Sequence, residues 1–157
     1  MIVHGRTFRD HLRLLWPLFG FIAAVWALRM VLGCADVPKL ALRWVSVTLA
    51  SSVAVFLAVL LIHARRFGSY ANVVLAVFLL AVWGQLLISG AVAFTALTGT
   101  HNIYSAPEYS PHGTPLHHIF GQLAFGIGFV TLLGSAVGCA LYFLVSHIIP
   151  APPAPKV

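Results

Sequence analysis

The chain carries eight histidines but only three acidic residues, Asp10, Asp36 and Glu108. Five possible metal ligands gather in one stretch: His101, Glu108, His112, His117 and His118. Neutral imidazoles and a carboxylate suit zinc, copper or iron, so a transition-metal site is one chemistry these residues offer. Their spacing matches neither a His-Glu-x-x-His helix nor a Cys/His finger. On a helix the neighbours His117 and His118 point about 100° apart, which keeps them from gripping one ion together. His118 and Gln122, four apart, share a face.

A second chemistry would be haem b, held by two histidines facing each other at one depth. His118 and His147 are 29 residues apart, roughly 43 Å along one helix, too far to share a ring. His63 and His147, or His11 and either of them, lie at one end and could face each other across a ring. A third possibility centres on Gln85, the one strongly polar side chain deep within an apolar run, supported by Thr48, Ser51, Ser52, Ser89 and Thr131. Polar groups at such depth mark functional positions by default. None of these six ionises, whereas proton and ion pathways usually contain a residue that does.

Enzyme chemistry has less support. The chain has no phosphate-binding Gly-rich loop, no Gly-x-Ser-x-Gly and no paired carboxylates. Its two cysteines, Cys34 and Cys139, form no C-x-x-C. Val31-Leu32-Gly33-Cys34 has the outline of a lipobox, but Arg29 interrupts the apolar core that such a signal needs.

The elements that position these residues follow from composition. Apolar residues make up 61% of the 157, charged residues 8%, and the mean hydropathy is +0.99. A soluble domain is about 25% charged, and a chain this short cannot hide so much apolar surface inside itself. Lipid must cover the excess. A helix crosses about 30 Å of hydrocarbon in about 20 residues, and four runs qualify: 14–32, 45–62, 71–97 and 117–149. They are continuously apolar rather than alternating, which excludes barrel strands. The expected fold is an all-α integral membrane protein, with four transmembrane helices in an antiparallel bundle forming one domain.

The nine Lys/Arg lie at the ends of apolar runs and make no aromatic-interleaved stripe, so nucleic acid is not an expected partner. Arg6, Arg9, Arg13, Arg65, Arg66 and Lys156 share one side, against Lys39 and Arg43 on the other. The positive-inside rule then places both termini in the cytoplasm, as in a bacterial inner (plasma) membrane protein. Arg29 is expected to snorkel outward.

Segment 98–116 should be an ordered lid on the periplasmic side, with Ile103, Tyr104 and Tyr109 as interfacial anchors. Thr114 is placed to cap helix four, with Pro115 at its first position. The Pro-rich segment 150–157 reads as an extended cytoplasmic tail. Small residues allow close helix contact: Ala50, Ala54 and Ala58 in span two, and Gly121, Gly128, Gly134 and Gly138 in span four.

These features together point to a small tetraspan subunit without catalytic chemistry. It would be structural or accessory in a membrane complex, or would self-associate, with bound lipids. The alternatives are a metal- or haem-binding membrane protein and a small oligomeric channel or transporter.

Overall fold

The computed structural model describes residues 2–3, 5–35, 42, 44–100, 102–105 and 114–149. Four long apolar helices pack on one another, and the chain is a multi-pass membrane protein whose environment is the lipid bilayer. α1 spans Phe8–Cys34, α2 Val47–Ala64 and α3 Tyr70–Thr98. The fourth crossing is α4 (Pro115–Gly121), a π-helical turn over Gln122–Gly126, and α5 (Ile127–Ile148), continuous over 34 residues.

α2 and α3 form the centre, and α1 and α5 each pack on both. Ala50, Ala54 and Ala58, at most 4% exposed, give α2 a flat face on which Leu15, Ile22, Val73, Val77 and Leu80 close a core. In lipid the close fit of small residues replaces the hydrophobic drive as the source of contact energy. Gly134 and Gly138 belong to this fit. A Cβ on Gly134 would lie 2.8 Å from Val77 Cγ1, and one on Gly138 3.1 Å from Val73 Cγ1. Gly121 and Gly128, on the same crossing, face open space. The glycines that look alike in sequence thus divide into packed and free pairs.

α1 begins six residues before the expected apolar start at Leu14. Two short antiparallel strands, β1 (Ile2–Val3) and β2 (Arg6–Thr7), turn through Gly5 at φ +79° and deliver Thr7 as the N-cap. Thr7 Oγ1 accepts from the Asp10 N–H (3.2 Å), and Asp10 Oδ2 accepts from the Thr7 N–H (2.8 Å). This reciprocal box satisfies two of the unpaired donors at the helix start. Pro17 consequently falls inside α1, which continues through it. At the other end of the crossing sequence, Thr114 Oγ1 accepts from the His117 N–H with Pro115 at the first turn, as the sequence predicts.

Arg29 departs from the expectation that it reaches outward. It is 8% exposed, donates from Nη1 to the Val45 carbonyl at 2.8 Å, and lies 5.6 Å from the Tyr104 ring centroid. The Val45 carbonyl, one residue ahead of the Ser46 N-cap of α2, lies close by, and the guanidinium turns inward to it. Tyr104 in turn is buried rather than interfacial.

The start of the 98–116 segment folds back on the bundle. α3 stops at Gly99 (φ +71°). Asn102 Nδ2 then donates to the Ala91 carbonyl (2.8 Å) and Thr95 Oγ1 (2.7 Å), and its Oδ1 accepts from the Tyr104 N–H (2.9 Å). A 3₁₀ turn, Ile103–Ser105, follows, with Ile103 seated against Gly33 of α1. Residues 106–113, including Tyr109, and the tail 150–157 lie outside the described residues.

Candidate functional site

Near the middle of α3, Gln85 packs against the π turn. A Cβ on Gly126 would lie 2.9 Å from Gln85 Cδ and 3.0 Å from its Oε1, so the absence of a side chain there makes the room that the amide occupies. The fourth crossing runs α-helical up to this point, widens to i→i+5 pairing for one turn, and resumes as α5. Single π turns of this kind occur disproportionately at functional positions. Gln85 Oε1 is buried and has no hydrogen-bond partner among the described residues, and neither has Ser89 Oγ one turn further along α3.

Gln85 also lines a cleft of about 280 Å³ between α2, α3 and α5. Thr48, Ser51 and Ser52 supply its other hydroxyls, and the remaining wall is apolar, with no ionisable side chain. Gly84 leaves space for Ser51, whose Oγ would be 3.2 Å from a Cβ at that position. The cleft can accept a neutral molecule or apolar chain. It holds no group able to transfer a proton by changing its own charge.

The expected metal ligands are only partly described. His101, Glu108 and His112 lie outside the described residues. His117 is exposed while His118 is 9% exposed and bonded to Gln122 (Nε2 to Nε2, 3.3 Å), so the two rings diverge as their adjacency requires. Among the described residues no three His, Cys, Asp or Glu side chains converge as a metal site.

The haem pair has separate engagements. His147 donates from Nδ1 to the Phe143 carbonyl of its own helix (2.8 Å) and stacks on the Phe143 ring (4.1 Å). His63 meets Tyr142 edge-on at 6.5 Å, and its Nε2 is buried without a partner among the described residues.

A polar knot that the sequence did not single out lies at the end of the bundle bearing the N-terminus. His11, fully buried, places Nδ1 2.9 Å from the Thr7 carbonyl and Nε2 3.0 Å from Asn72 Oδ1. Asn72, also fully buried, donates from Nδ2 to the Phe67 carbonyl (3.1 Å), which turns its Oδ1 to the ring. Phe67 packs edge-on against His11 at 4.8 Å. Gly68, at φ +152°, is forced: a Cβ there would collide with Asn72 Nδ2. Both His11 ring nitrogens face oxygen acceptors, and a neutral imidazole donates from only one of them, so a single His11 donor and the Asn72 amide tie the helix starts together.

The fold and these sites define a tetraspan helical membrane protein. No protein-family model matches the chain, and no curated protein or solved structure matches it either.

Proposed function

We propose that this protein is a non-catalytic tetraspan subunit of a bacterial inner membrane, acting as a structural or accessory component alongside other membrane subunits or copies of itself. The observation that carries this reading is the state of the fourth crossing. Only 6% of its most apolar 18-residue stretch is buried, against 44% in α2 and in α3. Phe120, Phe125 and Leu132 project outward from it, and Gly121 and Gly128 leave its backbone open to close approach. Small residues facing outward among large apolar ones are what helix association in lipid requires. The cation distribution supports cytoplasmic termini and a periplasmic 98–116 segment.

Purification in mild detergent and in nanodiscs tests the proposal. A particle larger than one chain is expected, and Gly128→Leu should reduce it to a single chain without unfolding it. A strictly monomeric protein in both environments overturns it.

The cleft at Gln85 supports a second reading, a small oligomeric channel or transporter for a neutral solute. Flux into liposomes that Gln85→Leu abolishes would favour it over the first.

A further inference from the structure

We infer that the protein holds an anionic phospholipid by its phosphate, in a pocket formed by Arg6, Arg13 and Arg65 at the end of the bundle that bears the N-terminus. The pocket has a volume of about 270 Å³ and is lined by these three arginines with Asp10, Leu14 and Phe67. Three cations therefore meet one carboxylate, drawn from the N-terminal hairpin, α1 and the α2–α3 connection.

The arginines are not equivalent. Arg6 is pinned: Nε donates to the Phe67 carbonyl (3.4 Å), one terminal nitrogen donates to the Arg66 carbonyl (3.3 Å), and the guanidinium lies 5.0 Å over the Phe67 ring. A guanidinium has five N–H donors, so this leaves donors to spare while fixing their direction. Arg13 and Arg65 are exposed, and their guanidinium groups make no hydrogen bond or salt bridge among the described residues. Asp10 is already engaged, its Oδ2 accepting from the Thr7 amide (2.8 Å) and hydroxyl (2.7 Å). The carboxylate thus serves the helix cap, and the cationic surplus faces the pocket.

Depth and lining identify the ligand class. The pocket stands where α1 passes from its charged first turns into the apolar run that begins at Leu14, the level of lipid phosphates. Leu14 and Phe67 provide an apolar floor, which suits the glycerol and upper acyl chain of a lipid and offers nothing to a free inorganic anion. Basic pockets at the ends of transmembrane helices bind anionic headgroups in this way.

The experiment uses the full chain in detergent, titrated with phosphatidylglycerol or phosphatidylcholine and read by native mass spectrometry. Phosphatidylglycerol should be retained in preference. Arg13→Gln and Arg65→Gln should each weaken that preference by about fivefold, whereas Arg9→Gln, outside the pocket, leaves it unchanged. Arg6 is left in place because its bonds also hold the hairpin, and thermal melts confirm that the variants fold. Equal retention of the two lipids overturns the inference. So does a preference that survives the double variant, or one that millimolar inorganic phosphate removes.

Discussion

His11 Nε2 and Asn72 Oδ1 lie 3.0 Å apart, joining positions 61 residues apart in the chain. Through this bond the first turn of α1 is fastened to the first turn of α3, and through Asn72 Nδ2 to the α2–α3 connection. Asn72→Ala removes the group facing a buried imidazole nitrogen and one of the two donors to the Phe67 carbonyl, leaving Arg6 Nε as the other. It should lower the unfolding free energy by about 1–3 kcal/mol. Ser69→Ala, three residues away and removing a hydroxyl with no partner among the described residues, should cost little. Thermal melts of the two variants in one detergent make the comparison.

The glycines of the fourth crossing should separate by the space around them. Gly138→Leu and Gly134→Leu drive a side chain into Val73 or Val77, whose β-branched side chains cannot swing aside. Losses of about 1–3 kcal/mol are expected, as for overpacked cores. A Cβ at Gly121 or Gly128 meets nothing within 4 Å in the single chain, so Gly121→Leu and Gly128→Leu should leave its melting unchanged. If Gly128→Leu unfolds the isolated chain as badly as Gly138→Leu, the division into packed and open faces is wrong.

Gln85 and Gly126 should behave as a coupled pair. Gly126→Ala places a Cβ about where the amide sits and should destabilise the wild-type chain. In a Gln85→Ala background the obstacle is gone and the same change should be nearly neutral. The coupling in such a cycle is expected to fall between about 0.5 and 3 kcal/mol. Additive effects of the two substitutions would show that the amide does not depend on the glycine.

Both chain ends should label from the same side of the membrane. Single-cysteine variants near residue 5 and near residue 152, probed in intact cells with an impermeant maleimide, are expected to stay unlabelled until the membrane is opened. A cysteine at position 100 should label at once. Labelling of the two ends from opposite faces would undo the four-crossing arrangement.

Much of the bundle is legible without coordinates of any kind, because lipid imposes a simple rule: a crossing helix must be long, apolar and internally hydrogen-bonded. That rule locates the four crossings in 14–32, 45–62, 71–97 and 117–149, and the observed helices differ mainly at their ends. Local chemistry adds the Thr114 cap and the divergence of His117 from His118, since both depend on neighbours a few residues away. Gln85 stands out by its polarity alone.

The partners of these residues belong to the tertiary structure. Gln85 faces Gly126 rather than another glycine only because of how the fourth crossing is rotated and widened against α3. Arg29 looks like a snorkelling cation until the Val45 carbonyl and the Tyr104 ring are brought beside it. His11 and Asn72 carry no mutual signal, as their bond depends on the docking of two helix starts across the bundle. Hydropathy sums over a segment and survives without context, whereas a hydrogen bond or a close helix contact is fixed by distances of a few ångströms between segments remote in sequence.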